Sequence, residues 1–354
     1  MIAALSVALQ AGVPILAWGP PGVGKTAVIT ALAESLALPL EVVLASIREP
    51  ADFSGLPVIR EDGVKMEAPA WARRLAREGK GILFLDEIST APPAVQAALL
   101  RVVLDRVVGD LELPPGVAVV AAANPPEQAA GGWDLSPPLA NRFCHLTWTL
   151  DSGAWIDGMI QGWPAPRFEA LPEGWEKGIP ASRSLVAAFI RHRPHLLLQV
   201  PGSEDQAGKA WPSPRSWEMA ARLLAASSDD DVAAILVSGC VGDGAAMEFL
   251  TWRRDLDLPD PEAVLREPEK FTIPKRGDQA FAILTAVVTA AVGNLTRDRW
   301  LAAWTVLARA ADQGAKDIAA AAAKALAQAR KPNLPLPQKE LAGFIPLLEM
   351  GGLL

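Results

Sequence analysis

The sequence Gly19-Pro-Pro-Gly-Val-Gly-Lys-Thr26 matches the pattern G-x-x-x-x-G-K-[ST] in full. Glycines at these positions let the backbone wrap tightly, so that several N–H groups point toward one anion. The apolar run Ile15–Trp18 precedes the loop and a helical pattern follows it, which is the context that a phosphate-binding loop requires. The residues predicted to bind phosphate are Gly19, Pro20, Pro21, Gly22, Val23, Gly24, Lys25 and Thr26.

Two side chains of this loop have a specific chemical role in the prediction. Lys25 would bridge the β- and γ-phosphates of a nucleoside triphosphate, and Thr26 would give its hydroxyl to Mg²⁺. A glycine-rich turn with an incidental lysine is the alternative, but the flanking strand and helix argue against it. The sequence therefore predicts ATP and Mg²⁺ as ligands.

Around the loop, residues 1–150 alternate short apolar runs with helical stretches, which is typical of an α/β sheet. The runs are almost continuously apolar, as expected for strands that helices cover on both faces. The helix after the loop is predicted from Lys25 to about Leu36. The candidate strands are Ile15–Trp18, Leu40–Leu44, Ile82–Leu85, Val117–Ala122 and His145–Trp148.

The third candidate strand leads directly into two carboxylates, Asp86 and Glu87. Ligands of α/β sheets bind at the carboxyl ends of the strands, so Asp86 is predicted to hold Mg²⁺ directly or through water. Glu87 is then predicted to orient and deprotonate the attacking water. Acids at the start of a helix are the alternative, and the phosphate loop in the same chain favours the metal site.

Three further polar residues are candidates for catalysis. Asn124 ends an apolar strand, and its amide could hold the lytic water with Glu87, although a turn cap before proline is the alternative. Arg142 could reach the γ-phosphate of a neighbouring subunit in a ring, or form a surface ion pair. Arg215 lies in the first turn of a predicted helix, where the dipole disfavours a cation. A nearby phosphate would offset that cost, and an exposed arginine is the alternative.

The rest of the chain is predicted to be mainly helical. Residues 151–180 are rich in Gly, Pro and Trp without a clean period, which predicts a linker or irregular insertion. Ser213, Asp229 and Thr296 are predicted helix caps. The predicted helical segments are Arg183–Arg191, Pro214–Ala226, Asp229–Ser238, Asp260–Leu265, Gln279–Val292, Arg297–Ala311 and Ala315–Arg330.

Composition favours a soluble cytoplasmic protein. The formal net charge is −7, so there is no general attraction to nucleic acid. Cys144 and Cys240 lack a CxxC partner, which favours two buried thiols over a disulfide or zinc site. The apolar N-terminus runs into the phosphate loop without a basic segment, so no signal peptide is expected. The apolar stretch 280–292 is shorter than the ~20 residues that span a bilayer.

The order of these motifs resembles that of the AAA+ ATPases, and specifically of their MoxR-type branch. Asn141 differs from the usual pattern of that branch, because MoxR proteins usually carry Asp directly before the arginine that matches Arg142. By this resemblance Gly19–Thr26 matches Walker A, Ile82–Glu87 matches Walker B, Asn124 matches sensor 1, Arg142 matches the arginine finger and Arg215 matches sensor 2.

Three other stretches also resemble MoxR-type proteins. Residues 52–71, with the turn Glu61-Asp62-Gly63, look like the hairpin inserted in helix 2. Residues 105–114 look like the hairpin before sensor 1, and residues 124–128 match an Asn-Pro-x-Glu-Gln run.

The resemblance implies an α/β fold, the P-loop NTPase (AAA+) αβα sandwich with a five-stranded parallel sheet, followed by an all-α lid and a helical C-terminal extension. It also implies a homo-oligomeric ring, most often a hexamer, with ATP between subunits. A partner with a von Willebrand factor A domain and a chaperone-like action on a protein client follow from the same resemblance. The predicted domains are 1–150 for ATP binding, 151–180 for the insertion, 181–245 for the lid with sensor 2 and 246–354 for the extension.

Other functions remain open from the residues alone. A nucleotide-gated interaction switch with little turnover is possible, although all the hydrolytic residues are present. A DNA-directed AAA+ motor is disfavoured by the acidic charge balance, since the basic clusters 191–193 and 253–254 are short. A small-molecule kinase would not need the helical C-terminal part or the paired hairpins.

The remaining aromatic residues give weaker predictions. His145 lies in an apolar run and is predicted to be a core residue rather than a ligand. Packing is the favoured role of Trp155, Trp163 and Trp175, with a partner surface as the alternative.

Overall fold

A computed structural model describes residues 1–61, 63–125, 133–163 and 170–353. The main sheet contains five parallel strands, which confirms the predicted α/β fold. The strands of the chain are β1 (Ile15–Trp18), β2 (Leu40–Leu44), β3 (Leu56–Arg60), β4 (Gly63–Glu67), β5 (Lys80–Asp86), β6 (Val107–Val108), β7 (Leu111–Glu112), β8 (Gly116–Ala123) and β9 (Cys144–Thr147).

Helices occupy most of the remaining described chain. The helices of the first half are α1 (Ile2–Gln10), α2 (Lys25–Ser35), α3 (Ala51–Ser54), α4 (Ala70–Glu78), α5 (Pro93–Asp105), α6 (Pro137–Ala140), α7 (Ser152–Gln161), α8 (Ile179–His192) and α9 (Glu204–Ala207). Those that follow are α10 (Pro214–Ala226), α11 (Asp230–Val241), α12 (Asp243–Arg254), α13 (Pro261–Arg266), α14 (Gly277–Gly293), α15 (Arg297–Ala310), α16 (Lys316–Gln328), α17 (Gln338–Leu341) and α18 (Ile345–Met350).

The spatial order of the main sheet is β2-β5-β8-β1-β9. The strand of the acidic pair, β5, and the strand of the phosphate loop, β1, therefore lie on either side of β8. Both β5 and β8 are buried along nearly their whole length, as strands covered on both faces should be. The strands β1 and β2 have the predicted bounds. β9 begins one residue earlier than predicted, because Cys144 already pairs with Ile15 of β1.

Two small antiparallel pairs are present where the hairpins were predicted. β3 pairs with β4 and β6 pairs with β7. The Asp110 carboxylate accepts a hydrogen bond from the Met66 backbone N–H over 2.8 Å, which joins the two hairpins. The predicted turn residue Asp62 lies outside the described residues, as do Pro126, Glu127 and Gln128 of the predicted Asn-Pro-x-Glu-Gln run.

The chain divides into two compact units. The first comprises Met1–Trp175 and Leu196–Met247, and the second comprises Glu176–His195 and Glu248–Leu354. The first unit contains the main sheet, whose core includes Leu83, Leu85 and Phe143. The second unit is helical, and its core is built around Trp300 and Trp304. The predicted lid segment 181–245 thus contributes residues to both units.

The helices that the sequence did not predict include α7 and α12. α7 lies within the segment predicted to be irregular, and the Asp151 carboxylate caps it by accepting from the N–H groups of Gly153 and Ala154. Gly153 and Gly158 obscure its helical pattern because glycine has low helix propensity. α12 begins one residue after Gly242, in a Gly-Asp-Gly stretch that resembles a turn. Ser213, Asp229 and Thr296 are the N-caps of α10, α11 and α15, as predicted.

The packing prediction is wrong for two of the three tryptophans. Trp155 on α7 is 47% exposed, and Trp163, two residues after the end of α7, is 63% exposed. Trp175 is half-buried, and the guanidinium carbon of Arg222 lies 5.0 Å from the centroid of its ring. Cys144 and Cys240 are buried free thiols, as predicted. Across the described residues, no helix has both the length and the apolar character needed to cross a membrane.

Candidate functional site

The carboxyl ends of three neighbouring strands meet where the predicted site residues lie. Trp18 at the end of β1 pairs with Ala123 at the end of β8, and β5 ends at Asp86. The Gly19 N–H donates to the Ala123 carbonyl over 3.1 Å. The phosphate loop, the acidic pair and the asparagine therefore share one edge of the sheet, as parallel strands require.

Glycine is required at two positions of the loop for different reasons. Gly24 precedes α2 with φ of 87°, a left-handed conformation that side chains with a Cβ rarely adopt. A Cβ at Gly19 would lie 2.7 Å from the Cβ of Trp148, which is too close for any other residue. The loop is thus shaped by backbone freedom at one end and by close packing at the other.

Lys25 is the central cation of this edge. Its ammonium group donates to the carbonyls of Gly19 and Pro20, over 2.5 Å and 3.0 Å, and to Asn124 Oδ1 over 2.9 Å. These three bonds use all the protons of the ammonium group. Burial lowers the pKa of Lys25, while the negative charges of Asp86 and Glu87 oppose the shift. An anion arriving at this group would favour its charged form.

Thr26 and Asp86 provide neighbouring oxygen atoms at the exposed side of the loop. The Thr26 hydroxyl donates to Asp86 Oδ2 over 3.0 Å, and Asp86 Oδ1 accepts from the Glu87 N–H over 2.9 Å. Hydroxyl and carboxylate oxygens are the ligands that Mg²⁺ prefers. The two residues predicted to bind the metal are therefore brought together.

Glu87 occupies a strained turn directly after β5. Its φ is 57°, in the left-handed region that non-glycine residues seldom adopt. Such strain is stored where the surrounding structure maintains it, often at functional sites. The Ser46 hydroxyl donates to Glu87 Oε2 over 2.7 Å, so the carboxylate is held toward β2.

Asn124 is held with its amide toward the phosphate loop. Its backbone N–H donates to the Ser89 hydroxyl over 3.2 Å, and the same hydroxyl donates to the Asn124 carbonyl over 3.3 Å. Its side-chain oxygen accepts from Lys25, as described above. The structure thus joins Asn124 to the cation of the loop rather than leaving it as a turn cap alone.

Arg142 and Arg215 form a second, basic group in the first unit. Arg142 is half-buried and donates to the Pro138 carbonyl, while Arg215 is exposed in the first turn of α10. Burial lowers the pKa of Arg142, the positive charge of Arg215 lowers it further, and Asp105 opposes the shift. The contacts of Arg142 thus lie with this group and not with Lys25.

Asn141 connects the elements that carry the two arginines. It is buried, donates from Nδ2 to the Trp211 carbonyl over 3.1 Å, and accepts from the Ser213 hydroxyl over 2.6 Å. Ser213 is the N-cap of α10, in a reciprocal capping box with Ser216. The Asn141 side chain thus has a structural role, since it joins α6 to the start of α10.

Ser46, Ser89 and Ser213 are partners of site residues that no pattern in the sequence indicated. Ser46 follows β2, and only the sheet order shows that β2 lies beside β5. Ser89 and Ser213 act through hydrogen bonds to residues far along the chain. A serine two residues beyond a predicted strand is a weak signal, which a known strand order would have strengthened.

A cavity of about 770 Å³ opens beside this edge in the first unit. Trp18, Pro125 and His145 are among the residues that line it. The Trp18 indole N–H donates to His145 Nδ1 over 2.9 Å, and the other ring nitrogen lies 2.9 Å from the Ala140 carbonyl. Burial lowers the pKa of His145 to about 4, although its hydrogen bond to Ala140 opposes the shift. His145 is therefore a neutral residue held by two hydrogen bonds, and it is half-buried at the cavity wall rather than within the core as predicted.

The comparison with known protein families agrees with this geometry. Residues 14–143 match the family model described as AAA domain (dynein-related subfamily). The match spans β1 to the residue before β9, and so includes the phosphate loop, the acidic pair, Asn124 and Arg142.

Similar proteins align with the same part of the chain. ATPase family gene 2 protein homolog B of Homo sapiens is 37% identical over 134 residues, which are 36% of this chain and 16% of the human protein. Denitrification regulatory protein NirQ of Pseudomonas aeruginosa is 33% identical over 143 residues, or 38% of this chain and 54% of that protein. The alignments therefore span about a sixth of the human relative and about half of NirQ.

Among solved structures, a candidate ATPase from Cytophaga hutchinsonii is 19% identical with a TM-score of 0.43. That alignment covers 78% of this chain and 90% of the other. A similarity at this level carries no argument about function.

Proposed function

Because residues 14–143 form an AAA+ P-loop domain, we propose that this chain binds Mg²⁺-ATP, hydrolyses it to ADP and phosphate, and uses the free energy to remodel a protein client. The observation that carries the proposal is the convergence at one sheet edge of a cation, two carboxylates, an amide and a hydroxyl. These groups belong to Lys25, Asp86, Glu87, Asn124 and Thr26.

The phosphate loop supplies the binding energy in this proposal. Lys25 already lies at the loop, with its protons on two neutral carbonyls and one neutral amide. Phosphate oxygens carry negative charge and are stronger acceptors than these groups, so they would replace at least one of them. The positive end of α2 and the N–H groups of the loop point at the same place.

Thr26 and Asp86 would hold Mg²⁺, and the ion when bound would neutralise charge on the phosphates. Mg²⁺ usually keeps part of its shell for waters and substrate oxygens, so one or two protein ligands are enough.

Glu87 would act as the general base toward the attacking water, with Asn124 orienting the reactants. The Ser46 hydroxyl occupies Glu87 Oε2 and so competes with the attacking water for that oxygen atom. We therefore expect the Glu87 side chain to leave Ser46 when hydrolysis begins.

The test is calorimetric titration with Mg²⁺-ATP together with a turnover assay. Glu87→Gln should bind ATP with an affinity close to the wild type and should lower turnover by roughly 100- to 10,000-fold, the usual contribution of a general base. Glu34→Gln is the matched control, because Glu34 is exposed near the end of α2. Undiminished hydrolysis by Glu87→Gln would remove Glu87 from the mechanism, and no heat of ATP binding by the wild type would reject the whole proposal.

We also propose a ring in which Arg142 serves a neighbouring subunit. Arg142 and Arg215 are grouped with each other, and the contacts of Arg142 lie apart from Lys25. Such a basic pair suits the γ-phosphate of a second chain, where it would stabilise charge in the transition state. The molar mass in solution, measured with and without ATP, should rise to that of a closed ring, and a monomer under both conditions would contradict it.

We propose further that the chain has a MoxR-type role and works with a partner that carries a von Willebrand factor A domain. The hairpins β3–β4 and β6–β7 lie where that resemblance placed them. A purified partner of this type should raise the rate of ATP turnover and migrate with the chain on a sizing column. Unchanged turnover with no shared peak would argue for another kind of client machinery.

A further inference from the structure

We propose that Asn141 is a positioning residue for ATP hydrolysis, because it fixes Arg142 relative to Arg215 so that both cations approach one phosphate group together. This role rests on the proposed ATPase function. It concerns a residue whose side chain has no expected contact with the nucleotide.

The geometry places Asn141 between the two arginine-bearing elements. Arg142 is the next residue in the chain, and Arg215 is two residues after Ser213. Asn141 and Ser213 are each 5% exposed, and the 2.6 Å bond between them joins the end of α6 to the start of α10. A hydrogen bond this short between buried groups gives the backbone at both sites little freedom to move.

The amide of Asn141 uses both of its functions. Its oxygen accepts from the Ser213 hydroxyl, and its nitrogen donates to the carbonyl of Trp211, four residues before Arg215. A carboxylate at this position could accept but could not donate, and it would face the Trp211 carbonyl with two unshared acceptors. Asparagine is therefore the residue that satisfies both ends of the connection.

The same connection is braced by the cap of α10. The Ser213 hydroxyl also accepts from the Ser216 N–H over 3.1 Å, and the Ser216 hydroxyl accepts from the Ser213 N–H over 2.8 Å. The Ser216 hydroxyl in turn donates to the Trp211 carbonyl over 3.0 Å. Asn141 is thus attached to a rigid turn rather than to a freely moving side chain.

The positive charges of Arg142 and Arg215 repel each other, so other contacts must hold the two side chains close together. Arg142 and Arg215 are close enough for one charge to disfavour the other, and Arg142 Nε is buried with no hydrogen-bond partner among the described residues. A phosphate group would offset the repulsion between the two guanidinium groups and could accept a hydrogen bond from Arg142 Nε, since a guanidinium offers several N–H groups to phosphate oxygens. The connection through Asn141 would hold the pair ready for that anion.

The experiment is a set of double-mutant cycles on steady-state ATP turnover. Asn141→Ala should lower kcat by roughly 10- to 100-fold with KM changed less than about threefold, as expected when catalytic groups are misplaced. In the Arg142→Ala/Arg215→Ala background the same change should alter kcat less than about threefold, because the residue acts through the arginines. A merely structural residue would lower kcat equally in both backgrounds.

Two further variants separate positioning from folding. Asn141→Asp keeps the shape and the acceptor for Ser213 but loses the donor, so it should fold and should show a smaller loss in kcat. Ser213→Ala should behave like Asn141→Ala, whereas Ser213→Thr keeps the hydroxyl and should restore kcat. Thr296→Ala removes the N-cap of α15 and is the matched control for loss of a cap, with kcat expected to stay unchanged.

The outcomes distinguish this role from the proposed function itself. A wild-type chain without ATP turnover, when Mg²⁺-ATP is supplied, would overturn the proposed function and this role with it. Normal turnover in the wild type, with kcat unchanged in both Asn141 variants or reduced equally in the arginine-free background, would overturn only the role of Asn141.

Discussion

The sheet edge of the first unit and the helical core of the second unit are built from opposite kinds of residues. At the edge, the buried ammonium group of Lys25 lies within electrostatic reach of the Asp86 and Glu87 carboxylates, and the backbone of Glu87 is strained. In the second unit, Trp300 and Trp304 are fully buried with ring centroids 5.8 Å apart, and Trp304 also packs near Phe344.

The difference shows where this chain places chemistry and where it places stability. Desolvated charge and left-handed backbone raise the free energy of the folded edge. Burial of large aromatic side chains lowers the free energy of the folded helical unit. Substitutions at the edge should therefore change ligand binding more than unfolding, and substitutions in the helical core should do the reverse.

The largest effect is expected in the helical core. Trp304→Ala should lower the free energy of unfolding by about 3–5 kcal/mol, because it leaves a cavity in a close-packed site. Trp304→Phe should cost less, since the indole N–H of Trp304 has no hydrogen-bond partner among the described residues. Urea unfolding measures both, with the exposed Trp155→Ala as the control. If Trp304→Ala lowered the free energy of unfolding by less than about 1 kcal/mol, the helical core would not be the main source of stability.

The next effect is on ligand binding at the sheet edge. Lys25→Met should weaken Mg²⁺-ATP binding by roughly 100-fold, about 2.7 kcal/mol, because it removes a charge-assisted contact to the phosphates. The exposed Lys80→Met is the matched control, with unchanged affinity. Fluorescence titration with a nucleotide analogue gives the affinities. Equal weakening in both variants would show that net charge, rather than the loop, controls binding.

His145 tests whether the edge is stabilised by a neutral ring. Its pKa of about 4 lies below the ordinary 6.5, so the unfolded chain binds a proton that the folded chain excludes. Stability should be complete above pH 6.5 and should fall toward pH 4, by at most about 3 kcal/mol. Unfolding measured across this range should show a shallower slope for His145→Gln. An identical slope would assign the loss of stability to other groups.

The smallest effect is expected at an ion pair on the surface of the helical unit. Arg299 donates to both carboxylate oxygens of Glu262, over 2.6 Å and 2.7 Å, but the Glu262 side chain is half exposed. Glu262→Gln should cost less than about 1 kcal/mol, and less still in high salt. Thermal unfolding at two salt concentrations checks this, with the exposed Glu349→Gln as the control. A salt-independent loss of several kcal/mol would mean that the pair belongs to the core.

The sequence alone predicted the chemistry of the sheet edge, because each strand there is a local apolar run followed by its polar residue. Asp86 and Asn124 each end or directly follow such a run, Lys25 ends the loop that follows another, and their grouping follows from the rule for parallel strands. The sequence also predicted the two hairpins and the caps of α10, α11 and α15, because these depend on residues a few positions apart.

Only the tertiary structure determined which side chains hold these groups in place. Ser46 and Asn141 act on residues 41 and 72 positions away, and no local pattern encodes a hydrogen bond across such a separation. The sequence also did not determine that the apolar side chains of α7 are exposed while the indoles of α15 are buried. An apolar stripe on a helix does not show which other segment, if any, packs against it. Contacts between distant segments depend on how the chain packs, and that is a property of the whole fold rather than of any stretch within it.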